Sequence, residues 1–203
     1  LQNDDLNSGA EDRNSLADLL IRTAGSLRDL ADTVEQGTHV DPLEWVIPMS
    51  DIGTGRMDEH CDAIAARLGK KHLAVYAIYF DEEVPLERVY AVVDGNKAKN
   101  KTLPVHERRA FARVNKRKGC LDSRCLYVGQ SEKAADRLRQ HLIEAAPTTF
   151  AVHLGHWPSA SDIPGNLIVK VIGVAGVQSV LLPFIEDQII RETPPILGKR
   201  GSV

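Results

Sequence analysis

From Ser15 onward apolar side chains return at three- and four-residue intervals: Leu16, Leu19, Leu20, Leu27, Leu30, Ala31 and Val34. That spacing lays one apolar stripe along a helix. Asn14 or Ser15 can cap its start, Asp18 lies in the first turn, and Gly37 is a natural stop. A proline-containing connection is expected over 38–55, with Trp45 as its anchor into the core. A second helix over 58–68 carries Cys61, Ile64, Ala65 and Leu68 on one face and ends at Gly69. Beyond Gly69 the period falls to two. Residues 73–80, rich in aromatic and β-branched side chains, predict a buried strand, and 88–93 a partner strand. The middle of the next stretch, 106–114, has a helical pattern, followed by a short strand at 125–128. A helix over 132–145 presents Ala135, Leu138 and Leu142; strands follow at 150–154 and 167–174. A last helix, 178–192, leads into an extended tail. This order predicts an α/β fold, a small sheet covered by helices, with a helical N-terminal segment over 1–69.

Composition narrows the class. With 203 residues, 43% of them hydrophobic and 26% charged, the chain suits one full-sized domain, or a smaller one with a helical appendage. No apolar run approaches the roughly 18 residues a membrane span needs; the best, 167–177, is broken by Lys170. The first residues lack the basic-then-apolar layout of a secretory signal. Cys61, Cys120 and Cys125 cannot all pair with one another, and no histidine stands at zinc-finger spacing beside them. Reduced thiols and a cytoplasmic location are therefore expected.

The net charge of −3 conceals an asymmetry. Residues 1–68 hold fourteen acidic side chains, five arginines and no lysine, a net of −9, which leaves +6 for the remainder. Within 97–124 there are ten basic residues and two acidic ones. Such a stretch is commonly a solvated face, but it also suits a polyanion, and DNA is the expected partner. The candidate DNA contacts are Arg113, Lys116, Arg117, Lys118 and Lys199. The leucine-rich stripe of the acidic segment needs a cover, and a homodimer would provide it.

Four separated motifs bear on chemistry. They are Ala74-Val-Tyr76 in a strand, Tyr127-Val-Gly129 leading into a helix, Arg137 and His141 four apart on that helix, and Glu186 followed nine residues later by Pro195. In this order and on these element types, the set resembles the GIY-YIG nuclease superfamily, in particular its restriction-endonuclease-like members. The likeness extends from about residue 73 to the C-terminus. Two departures stand out: Ala74 replaces the first glycine, and Gly198 occupies a position where many members have asparagine. The 51-residue separation of Tyr76 and Tyr127 makes 88–124 a basic insertion between two strands. Tyr90 is a rival first tyrosine; Tyr76 is preferred because Ala-Val-Tyr-Ala-Ile-Tyr matches the family strand throughout.

The resemblance implies a metal-dependent endonuclease hydrolysing DNA phosphodiester bonds, in a restriction or phage-defence setting. It implies catalytic roles for Tyr76, Tyr127, Arg137, His141 and Glu186, with Glu186 as ligand to Mg²⁺ or Mn²⁺. The residue types suit that chemistry. A carboxylate is a hard oxygen ligand for a cation that keeps most of its waters. Arginine offers a permanent charge and forked donors for a phosphate oxygen. Tyr76 is the implied general base, Tyr127 positions water or phosphate, and His141 could hold or relay a proton near neutral pH. A non-cleaving nucleic-acid-binding module is the alternative, favoured by Gly198; a third reading makes the N-terminal stripe a protein-docking element. His153 and His156 are expected to be structural.

Overall fold

The computed structural model describes residues 42–69, 73–115, 122–157, 159–173 and 182–198, with helical positions at 25, 28, 31, 32 and 35. Most of the N-terminal stripe lies outside the described residues, as do Cys120, Lys116, Arg117, Lys118 and Lys199.

Four strands form one antiparallel sheet: β1 (Leu43–Pro48), β2 (Ala74–Phe80), β3 (Cys125–Ser131) and β4 (Asn166–Gly173), in the order β1-β4-β2-β3. With β4 on one side and β3 on the other, β2 buries nearly every side chain, which explains its almost unbroken apolar run. β1 and β4 alternate instead. Leu43, Trp45 and Ile47 turn toward the core, while Glu44 on the outer face pairs with Lys170 directly opposite at 3.2 Å. Four helices among the described residues cover the sheet: α1 (Arg56–Leu68), α2 (Leu86–Thr102), α3 (Ala134–Leu142) and α4 (Leu182–Glu192).

One face of the sheet carries the main core. Ala74, Tyr76, Ile78 and Phe80 of β2 meet Met57, Ile64 and Leu68 of α1 and Leu138 and Leu142 of α3. Arg139 of α3 ties the two helices together through Asp62 at 2.9 Å and Asp58. The opposite face is smaller: Val75, Ala77, Cys125 and Val128 pack against Leu182 and Ile190 of α4. Residues 43–68, assigned from sequence to the acidic N-terminal segment, thus supply an edge strand and a core helix.

The stretches at 58–68, 73–80, 125–128, 132–145 and 167–174 adopt the expected element types, with shifted ends. Elsewhere the structure differs. The partner strand expected at 88–93 is part of α2. Val89, Tyr90, Val93 and Asn96 are its buried positions, a helical spacing that the shorter Val89-Ala91-Val93 alternation disguises. Pro85 immediately before the helix suits its first turn. Tyr90 is therefore a helical residue, with no place in the strand that holds Tyr76.

The helix expected at 106–114 is one tight turn, Val105–Glu107, followed by extended chain. There the backbone groups find partners in distant segments: the Ala112 amide donates to the Ala151 carbonyl at 2.8 Å and the Asn115 amide to Ile196 at 2.9 Å. The strand expected at 150–154 is reduced to a single bridge at Ala151, because His153 takes a left-handed conformation and turns the chain. The connection over 38–55 contains β1, whose six residues are bounded by polar chain and Pro48.

Candidate functional site

β2 and β3 are antiparallel neighbours, and their register sets Tyr76 opposite Gly129 and Ile78 opposite Tyr127. Tyr127 and Gly129, two apart, share the face that carries Tyr76. The two phenol rings stack with centroids 6.4 Å apart. The glycine of Tyr-Val-Gly has a steric cause here. A Cβ at Gly129 would lie 2.6 Å from Tyr76 Oη and 2.8 Å from Tyr127 Cε1. Gly129→Ala should therefore cost about 1–3 kcal/mol, the usual penalty of overpacking, and splay the two rings. Thermal melting checks this: an unchanged midpoint would contradict the close approach.

α3 follows β3 after a short turn and directs His141 onto both rings, at 4.3 Å from Tyr127 and 5.8 Å from Tyr76. His141 is wholly buried. Its Nδ1 accepts from the Val152 backbone N–H at 3.1 Å, and its Nε2 lies 3.1 Å from Tyr76 Oη. A neutral imidazole has one donor and one acceptor nitrogen. With Nδ1 accepting, the proton belongs on Nε2, so His141 donates to the Tyr76 oxygen. Burial, reinforced by the charge of Arg137 and by His153, holds its pKa well below the ordinary histidine value. The proton relay near neutral pH expected from sequence thus gives way to a fixed donor.

That shift has a measurable sign. An unfolded chain titrates histidine near 6.5, and folded His141 lies well below. Between the two values the unfolded state binds more protons, so stability rises with pH and is lost as pH falls from about 6.5. One such group contributes a slope of at most ~1.4 kcal/mol per pH unit. His153 and His156 are shifted in the same direction, also chiefly by burial. Urea unfolding between pH 7.5 and 5 should show this slope reduced, though not abolished, in His141→Gln; an identical slope would contradict a buried neutral ring.

Arg137, one helical turn before His141, donates to Gln140 Oε1 at 2.7 Å and to the Phe150 carbonyl at 2.5 Å. Its charge acts on both tyrosines and on His141. Arg139, two residues on, points instead to α1. On α4, Glu186 is 8% exposed, and its charge bears on both phenols. Asp187 is more exposed, as expected for neighbours some 100° apart on a helix. Burial pushes both phenols up. At Tyr76 the neighbouring Tyr127 and Glu186 add to that while Arg137 opposes; at Tyr127 Arg137 opposes and Glu186 adds.

The chain after α4 closes the site. The Ile196 and Leu197 amides donate to Cys125 and Leu126 on the free edge of β3, and Gly198 donates to Arg113. Gly198 has φ +112°, and a Cβ there would lie 3.1 Å from the Tyr127 ring. Glycine at this position is thus a requirement of backbone and packing. The sequence by itself shows only that asparagine is absent there.

The basic insertion separates into two groups. Arg108 holds the Leu103 and Lys101 carbonyls, Arg109 holds Ala145, and Arg124 clamps Val84 and its neighbours after β2. These are structural clamps. Arg113 is exposed, with no acidic partner among the described residues.

Cys61 and Cys125 are free, buried thiols, each pushed up to about 12 chiefly by burial. His153 Nε2 lies 3.0 Å from the Thr149 carbonyl and His156 Nε2 3.8 Å from Glu144 Oε1. Among the described residues no three His, Cys, Asp or Glu side chains converge as a metal cage, and no helix is long and apolar enough to cross a membrane.

Fold and cluster together define a mixed α/β protein whose antiparallel sheet carries a buried tyrosine pair with histidine, arginine and glutamate around it. Comparisons with family models, with curated proteins and with solved structures return no match to the chain.

Proposed function

We propose that the protein is a metal-dependent endonuclease of the GIY-YIG type, hydrolysing DNA phosphodiester bonds in a restriction or phage-defence role. The observation that carries this reading is the convergence of Tyr76, Tyr127, Arg137, His141 and Glu186. They come from β2, β3, α3 and α4, four elements spread over 110 residues of chain, and assemble at one place. Cores rarely gather a buried carboxylate, a guanidinium and two phenols without a functional reason.

Phosphodiester hydrolysis needs an activated water, charge neutralisation on the reacting phosphate and a stabilised leaving oxygen. Arg137 supplies a permanent charge and spare donors for a phosphate oxygen. His141, held by the Val152 amide, donates to Tyr76 Oη and fixes the phenol in place. Tyr76 Oη takes the proton of the attacking water only after its own proton has passed to solvent, a loss that burial opposes and the Arg137 charge favours. Tyr127, stacked beside it, positions the water or the phosphate. Glu186 fits a magnesium or manganese ion: it is one buried hard-oxygen ligand, and such ions take one or two carboxylates beside substrate phosphate and water. When bound, the ion supplies neutralising charge at the phosphoryl oxygens.

One observation favours the non-cleaving alternative: Tyr76 is only 2% exposed, and that burial holds its hydroxyl protonated. Supercoiled plasmid separates the two readings. Nicking or linearisation with Mg²⁺ that stops on chelation supports the nuclease. Plasmid that is retarded but left intact with Mg²⁺ supports the binding module.

A further inference from the structure

A cleft of about 590 Å³ opens beside the candidate site, between α2 and the extended chain at 108–115. That volume lies within the range of small-molecule sites, about 300–1,000 Å³. Three kinds of group line it. Phe111, Phe150 and Trp157 supply aromatic surface. Phe150 is 46% exposed, whereas Trp157, its N–H donated to the Val152 carbonyl, is 5% exposed and reaches the cleft only with the edge of its apolar body. Lys97, Lys101 and Arg113 bring positive charge, with no acidic partner among the described residues. The third group is Asn96, 7% exposed, whose Nδ2 finds no acceptor among the described residues. An orphaned buried amide donor is costly unless something else satisfies it.

Two wall residues tie the cleft to the tyrosine cluster. Phe150, in its wall, gives its carbonyl to Arg137. Leu197, also in its wall, precedes Gly198 against Tyr127. A ligand with a flat ring, an acceptor on the ring edge and an attached anion would satisfy all three kinds of group.

We propose that this cleft holds one nucleotide unit, its base against Phe111, Phe150 and Trp157 and its phosphate at Lys97, Lys101 and Arg113. The inference rests on the nuclease reading in its choice of nucleotide chemistry. A nucleotide of a bound strand next to the reacting phosphate and a free nucleoside monophosphate share that chemistry.

Trp157 reports occupancy directly. In the full chain carrying Trp45→Phe it is the sole tryptophan, since the sequence has two. With chelator present, its fluorescence is titrated with a short single-stranded oligonucleotide, the same oligomer lacking all bases, nucleoside monophosphates and inorganic phosphate. Saturable quenching is expected with base-bearing ligands and not with the base-free oligomer. An oligonucleotide bound at least tenfold tighter than the monophosphate assigns the cleft to the strand; equal affinities assign it to a free nucleotide. Phe111→Leu keeps apolar bulk but removes the ring and should weaken binding about 10- to 100-fold, the range of base–aromatic stacking. Replacing Lys97 and Lys101 with Gln should flatten the salt dependence by about 0.7 per lost contact. Absence of quenching, equal binding of the base-free oligomer, or wild-type affinity in Phe111→Leu each overturns the proposal. Cleavage plays no part in this assay. Plasmid cut by a protein that shows no quenching removes the cleft alone, and quenching by a protein that never cuts removes the nuclease reading alone.

Discussion

Glu186→Gln should reduce Mg²⁺-dependent DNA cleavage by at least 100-fold while leaving DNA affinity in chelator unchanged or slightly improved. The substitution keeps the shape of the buried side chain and removes only its charge. A cation's stabilisation of phosphoryl transfer is worth several kcal/mol, and each ~1.4 kcal/mol is a factor of ten in rate. Losing a negative charge beside two phenols also relieves one influence that holds them protonated. The fold should tolerate the change. Asp187→Asn is the control, since that side chain is more exposed and lies around the helix from Glu186. A dead Asp187→Asn beside an active Glu186→Gln would place the ligand on the wrong residue. Full activity in both would remove α4 from the site.

The second large effect distinguishes two arginines on one helix. Arg137→Ala should lower single-turnover cleavage by about 10²–10³-fold, the usual cost of deleting one donor that stabilises transition-state charge. Arg139→Ala should leave the chemistry intact and act on stability, because its guanidinium spans from α3 to Asp62 and Asp58 on α1. The two acids and the arginine are partly exposed, so that loss should be small, within about 1 kcal/mol. Parallel cleavage and urea-unfolding measurements read both. Loss of cleavage in Arg139→Ala with a normal Arg137→Ala would reverse the assignment of the helix faces.

How much of this was legible depended on what kind of physics set each feature. β2 is visible as an unbroken run of apolar, aromatic and β-branched residues and β4 by its period-two alternation, each a local consequence of a strand packed against a core. α1 and α3 are visible because their buried positions repeat at helical spacing and α1 stops at a glycine. The stretch 106–114 misleads because its backbone partners, Ala151 and Ile196, lie far along the chain, and no local pattern encodes them. β1 is hidden for the same reason: its pairing with β4 bridges more than a hundred residues.

At the candidate site, residue types and order were readable, and Glu186 rather than Asp187 proves to be the buried acid. The direction of the His141 hydrogen bond was not. It depends on the Val152 amide, a backbone group that no side-chain pattern reveals. Nor were the reasons for two glycines, since Gly129 and Gly198 are each required by a tyrosine ring brought in by other strands and turns. No local pattern marks the cleft, because Phe111, Phe150 and Trp157 meet only after folding.

The proposed role of the Tyr76 oxygen is tested most directly by single-turnover cleavage of an end-labelled duplex by wild type and Tyr76→Phe in Mg²⁺, with affinity measured in chelator. Phenylalanine removes a single atom from a ring whose packing against Tyr127 and His141 is otherwise kept. The predicted result is cleavage by wild type, a loss of about 10²–10⁴-fold in the variant as for removal of a general base, and equal DNA affinity. Cleavage by Tyr76→Phe at the wild-type rate, or intact duplex with wild type and Mg²⁺, would contradict it.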